Sequence, residues 1–154
     1  MNLSREILKT ETEIAERVRA LGREITDHYK GQEISLLGVL KGSFIFMADL
    51  ARQIKLPAQM GFLEIITSRK SEFMTEIVFS SSFRIEGTHL LVVEDILDTG
   101  VTLAYLMQQI HLYQPRSLRV CTLLDKPHRR KVDLQPDRPA PFPDIDNYQR
   151  RISR

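Results

Sequence analysis

LLVVEDILDTGVT, residues 90–102, opens with four aliphatic side chains, passes through adjacent carboxylates at Glu94 and Asp95, and closes on Asp98-Thr99-Gly100-Val101-Thr102. Behind it, Leu103, Leu106, Met107 and Ile110 recur at helical spacing. A short continuous apolar run is the pattern of a buried strand, and the 3-4 rhythm that follows is the pattern of a helix. The acids and the Thr-Gly-x-Thr are therefore predicted on a strand-to-helix turn. In an α/β sheet that is the edge where ligands bind, outside the carboxyl ends of the strands and beside helix N-termini.

The chemistry of such a turn follows from its parts. A helix N-terminus has unpaired N–H groups and a partial positive charge, so it receives a phosphate readily. Gly100 allows positive φ or a close backbone approach, and Thr99 and Thr102 add hydroxyl donors. Glu94, Asp95 and Asp98 would repel a bare phosphate. They are compatible with it if they face sugar hydroxyls, a divalent cation or a proton to be moved. The plainer alternative is a capped helix with exposed acids, but capping alone calls for neither the acid pair nor the third acid three residues on.

Working outward, Ile14, Val18, Leu21 and Ile25 predict an amphipathic helix over Glu11–Tyr29, opened by a Thr10/Glu13 capping box and stopped at Gly31. Ile34–Leu40 is a buried strand, Lys41-Gly42-Ser43 a tight turn, and Phe44–Ile54 a helix with Phe44, Met47, Ala48 and Ala51 inward. Pro57 precedes a further strand at about Met60–Ile66. This is a βαβ unit of a parallel sheet, with a right-handed crossover. Lys41-Gly42 is either a repeat of the main turn's logic, with backbone N–H groups and a mobile cation placed for an anion, or a common strand-ending turn with no ligand. Thr67–Phe83 is either a lid, with Arg69 or Lys70 meeting phosphate charge, or a solvated hairpin. Leu118–Leu124 is the next strand, and Asp125-Lys126-Pro127 ends it at the same sheet edge. Lys126 there is either a donor to a ligand carbonyl or an exposed charge before a turn. Pro139, Pro141 and Pro143 preclude regular structure in the tail.

The 154 residues form one domain with a three-layer core. A net charge of +2 is too small to argue for nucleic acid, although basic residues cluster at Arg129–Lys131 and Arg150–Arg154. The single cysteine, Cys121, excludes an intrachain disulfide and sits in an apolar run as a small hydrophobe. His28, His89, His111 and His128 have no metal-site spacing. No run reaches membrane-spanning length and no signal-peptide pattern opens the chain, so the expectation is a cytoplasmic protein.

The aliphatic strand, acid pair and Asp-Thr-Gly-x-Thr resemble the phosphoribosyl-pyrophosphate signature of type I phosphoribosyltransferases. VEDILDTG followed by LRVCTLLDKPHRR, residues 118–130, is similar in particular to the bacterial hypoxanthine/guanine members. The likeness runs from about Glu11 to about Asp137. It implies an α/β, three-layer fold with a mainly parallel central sheet and a C-terminal hood that is reduced or missing. The corresponding division is a phosphoribosyltransferase domain over 1–137 and a Pro-rich tail over 138–154.

The resemblance also implies roles. Glu94 and Asp95 would hold the ribose hydroxyls directly or through Mg²⁺, with Asp98 as general base. Thr99, Gly100, Val101 and Thr102 would seat the 5′-phosphate, and Lys41 and Gly42 would receive the pyrophosphate. Lys126 would select a 6-oxopurine, and Arg130 would support the pyrophosphate turn. Such enzymes form dimers or tetramers. Two departures stand out. Thr67-Ser68-Arg69-Lys70 lacks the tyrosine and glycine that open the family's lid, and the tail lacks the aromatic-Val-Gly stretch. Phe142 or Tyr148 would have to stack on the base, and Asp144 or Asp146 to bind metal, unless the tail is a truncated or frameshifted end. The rival functions are a non-catalytic paralogue and a nucleotide-sensing regulator that binds RNA.

Overall fold

The computed structural model describes residues 9–67, 75–80 and 82–134. In chain order these form α1 (Glu11–His28), β1 (Ile34–Leu40), α2 (Phe44–Gln53), β2 (Ala58–Thr67), β3 (Thr75–Phe79), β4 (His89–Leu97), α3 (Val101–His111) and β5 (Ser117–Asp125). A 3₁₀ turn, Pro127–Arg129, follows β5. The strands make one sheet in the order β3-β2-β1-β4-β5, parallel except for the β2–β3 pair. The expected α/β architecture is the one observed.

Local sequence accounts for most of the elements. Thr10 accepts from the Glu13 N–H while the Glu13 carboxylate accepts from the Thr10 N–H, the reciprocal cap that starts α1. Val18, Leu21 and Ile25 of α1 pack with Phe46, Met47 and Leu50 of α2 and with Leu36, Leu91 and Val93 on one sheet face. On the other face Leu103, Leu106 and Ile110 of α3 pack on Leu37, Leu90, Val92 and Val120. Strands buried on both faces read as continuous apolar runs, which is why β1 shows none of the period-2 alternation of a half-exposed strand.

Two expectations need correcting. Phe44 is not inward: it is 52% exposed, because it begins α2 at the sheet edge, one turn short of the α1 contact that buries Met47 and Leu50. The acid pair lies in β4, not in the turn after it. β5 runs on to Asp125, and pairing of Glu94 with Thr122, Ile96 with Leu124 and Leu97 with Asp125 keeps β4 extended to Leu97.

The topology fixes where a ligand can sit. From the β1–β4 centre, the β1-α2-β2 crossover steps one way over one face, and β4-α3-β5 steps the other way over the opposite face. Opposite direction and opposite face give both crossovers the same hand. The connections leaving β1 and β4 therefore diverge and open a crevice at the carboxyl ends of those strands.

Candidate functional site

Two turns face each other across that crevice. After β1, Ser43 is fully buried and donates its hydroxyl to the Val39 carbonyl at 2.7 Å, which anchors the turn and leaves Lys41 and Gly42 exposed. The Leu40–Lys41 peptide is cis. A Cβ added to Gly42 would lie 2.7 Å from Asp95 Oδ2, so the turn packs against the acid pair and a larger residue there would push the Asp95 carboxylate aside. After β4, Gly100 takes φ +80° as the N-cap of α3. A Cβ there would also meet Val132 at 2.9 Å. Glycine is needed both for the left-handed backbone and for the close packing of the segment beyond β5.

At the β4–α3 turn lies a cavity of about 300 Å³ lined by Glu94, Asp95, Asp98, Thr99, Gly100 and Thr102, with Ile65, Leu103 and Leu106 as its apolar wall. Val101 N–H makes a long 3.4 Å bond to Thr99 Oγ1. Among the described residues no acceptor pairs with the N–H groups of Thr102 or Leu103. The first turn of α3 thus presents free donors at the cavity, as an anion seat requires.

The acids are electrostatically coupled. Glu94 Oε1 accepts from the Asp95 N–H at 3.0 Å, and Asp95 Oδ1 accepts from the Ile96 N–H at 2.8 Å. Burial, with the Asp95 carboxylate beside it, pushes the Glu94 carboxyl up to about 9. Two hard oxygen donors at an open, polar cavity fit Mg²⁺, which keeps several of its waters and asks for only one or two protein carboxylates. A dication there would offset the cost of ionising Glu94.

The segment after β5 closes the other side. Lys126 N–H donates to Leu97 O at 2.9 Å, and the Lys131 N–H donates to Thr99 O at 2.9 Å. Lys126 is 2% exposed, and its ammonium has no hydrogen bond or ion pair among the described residues. Arg130 is ion-paired with Asp125 and donates to the carbonyls of Leu97 and Asp98. It therefore braces the β4–α3 turn. Arg129 Nε donates to Asp98 Oδ1 at 2.6 Å, a contact the sequence did not suggest.

The sequence candidates that fall among the described residues gather at one edge of the sheet. Glu94, Asp95, Asp98, Thr99, Gly100 and Thr102 share the cavity wall, and Gly42 touches Asp95. Val101 lies on the exposed first turn of α3. Arg69, Lys70, Phe142, Asp144, Asp146 and Tyr148, like the whole 138–154 tail, lie outside the described residues. His89 has the structural role expected of it, its Nδ1 lying 2.8 Å from Ser117 Oγ.

A parallel sheet with a phosphate-ready turn and an acid pair at its switch point defines a class, and the comparisons agree with it: residues 4–142 match the phosphoribosyl transferase domain model, so this chain belongs to that family. Within the family it is 42% identical over 134 residues to the hypoxanthine phosphoribosyltransferase of Salmonella typhimurium, covering 84% of this chain and 75% of that protein. It is also similar to a hypoxanthine-guanine phosphoribosyltransferase from Bacillus anthracis, with TM-score 0.83 and 38% identity over 92% of this chain and 82% of that one. A mutant Trypanosoma cruzi hypoxanthine phosphoribosyltransferase complexed with the product IMP superposes with TM-score 0.83 at 34% identity, covering 96% and 80% of the two chains.

Proposed function

We propose that this chain is a purine-salvage transferase that joins hypoxanthine, guanine or both to phosphoribosyl pyrophosphate, giving the nucleoside monophosphate and pyrophosphate. The observation that carries the reading is Lys126, a cation 2% exposed with no partner among the described residues, whose backbone bonds to Leu97 in the wall of the acid-lined cavity. With most of the side chain packed away, the ammonium is a donor held for a ligand acceptor, and the 6-oxo group of a purine fits it. The relatives are transferases of this kind, and neither the non-catalytic paralogue nor the RNA-binding regulator draws support from them.

In the reaction a purine ring nitrogen attacks the anomeric carbon as the bond from that carbon to the pyrophosphate oxygen breaks. The proton on the purine passes to Asp98, whose carboxylate lines the cavity. Glu94 and Asp95 hold the ribose hydroxyls and would carry Mg²⁺, which when bound offsets the charge of the departing pyrophosphate. Residues Thr99 to Thr102 seat the 5′-phosphate on the free donors of α3. Lys41 and Gly42 receive the pyrophosphate, and Arg130 keeps the Asp98 backbone in place. Among the described residues no helix is long and apolar enough to cross a membrane, and a cytoplasmic homo-oligomer fits the resemblance.

The test is IMP formation from hypoxanthine and phosphoribosyl pyrophosphate with Mg²⁺, together with isotope exchange between hypoxanthine and IMP in the presence of pyrophosphate. Product in the first assay and label transfer in the second are expected with 6-oxopurines and not with adenine. Absence of both, on protein that binds phosphoribosyl pyrophosphate, would overturn the assignment.

A further inference from the structure

Asp98 is reached twice by the loop that carries Lys126. The Arg130 guanidinium donates to its backbone carbonyl, and Arg129 Nε donates to its carboxylate oxygen Oδ1 at 2.6 Å. Arg129 ends and Arg130 follows a 3₁₀ turn, Pro127–Arg129, whose backbone closes on Lys126 by an Arg129 N–H to Lys126 O bond of 3.0 Å. The base-selecting lysine and the arginine that grips Asp98 are therefore the two ends of one rigid turn. A carboxylate has two oxygens. With Oδ1 bonded to Arg129, Oδ2 is the oxygen left to accept a proton.

We infer that Arg129 is a positioning residue for the transfer reaction, holding Asp98 by one carboxylate oxygen so that the other meets the purine selected by Lys126. The inference rests on the proposed role of Asp98 as general base. It goes beyond that role by making proton abstraction depend on a side chain of the purine-binding loop. The pair is on the surface, with Arg129 54% and Asp98 24% exposed, and exposed ion pairs add little to stability. Its effect belongs in turnover, since slight misplacement of a reacting group costs one to two orders of magnitude in rate.

Arg129→Ala, Arg129→Lys, Asp98→Asn and the double variant Asp98→Asn/Arg129→Ala separate the possibilities by steady-state kinetics and thermal melting. Expected for Arg129→Ala is a fall in kcat on the order of ten- to a hundredfold, with KM for phosphoribosyl pyrophosphate and the melting temperature unchanged. Arg129→Lys, which keeps one charged donor, should recover part of the loss. Because the effect runs through Asp98, Arg129→Ala should cost nothing further in the Asp98→Asn background. If Asp98→Asn cuts turnover while Arg129→Ala does not, or if the two losses multiply, Arg129 is not a positioning residue and the base assignment stands. If Asp98→Asn leaves turnover unchanged, the base assignment itself fails and takes the inference with it.

Discussion

Thr122 Oγ1 lies on β5 with its residue fully buried and has no hydrogen-bond partner among the described residues. It stands opposite Glu94 in the β4–β5 register, where the strand must carry polar chemistry on one residue and core packing on the next. A buried hydroxyl without a partner costs about 1–3 kcal/mol relative to a satisfied one, and removing it while keeping the shape recovers part of that. Thr122→Val, an isosteric change, is therefore expected to raise stability by about 1 kcal/mol, or roughly 2–4 °C in Tm for a chain of this size. Thermal unfolding followed by circular dichroism checks this, and a fall in Tm of the same size would mean that the hydroxyl is hydrogen-bonded in solution. Site legibility also divides at this scale. Asp98, Thr99, Gly100 and Thr102 could be found because their roles depend on neighbours within five positions along the chain. Arg129 meets Asp98 across a separation of 31 residues, and no local pattern encodes such a pair. Lys126 was legible as a type of residue at a sheet edge, but its near-complete burial is a property of the packed loop.

At the scale of elements, α1 is held against α2 by a missing side chain. A Cβ on Gly22 would lie 2.3 Å from Gln53 Cβ and 2.9 Å from the Gln53 carbonyl carbon, so the last turn of α2 occupies the space a side chain would need. The gain in helix propensity from Gly22→Ala is about 1 kcal/mol. Against it stands overpacking at a backbone atom that cannot swing aside, which typically costs about 1–3 kcal/mol. The clash should win, so Gly22→Ala is expected to lower the urea midpoint with the m-value unchanged. A variant as stable as the parent would show that α1 shifts on the sheet without cost. The periodicity that predicts α1, α2 and α3 is strong because each buries one continuous face, and β1 is legible as an unbroken apolar run because it is buried on both. Their ends were less legible. β4 was expected to stop before its acids, since charged residues argue against a buried strand, yet pairing with β5 carries it through Glu94 and Asp95 to Leu97. Tertiary pairing here overrides local preference.

For the molecule as a whole, the acid pair makes the fold's stability answer to pH in an unusual direction. Most native carboxylates are held below their ordinary range and favour the folded state as pH rises. Glu94 is held the other way, pushed up to about 9 by burial and by Asp95. Below the ordinary carboxylate range Glu94 is protonated in both states and exerts no drag. From about 4.5 to about 9 the unfolded chain releases that proton while the native protein keeps it, so the native state binds more protons and loses stability with each step upward. One fully separated group sets a slope of about 1.4 kcal/mol per pH unit as the upper bound. Glu94→Gln keeps the neutral shape at every pH and removes this slope. The variant is therefore expected to match the parent near pH 4.5, and to gain on it steadily between pH 5 and pH 8, in unfolding free energies measured by urea titration without divalent cations. A constant difference across that window would mean that Glu94 is ionised in the folded protein throughout, and that the two carboxylates at the switch point repel each other less than their burial implies.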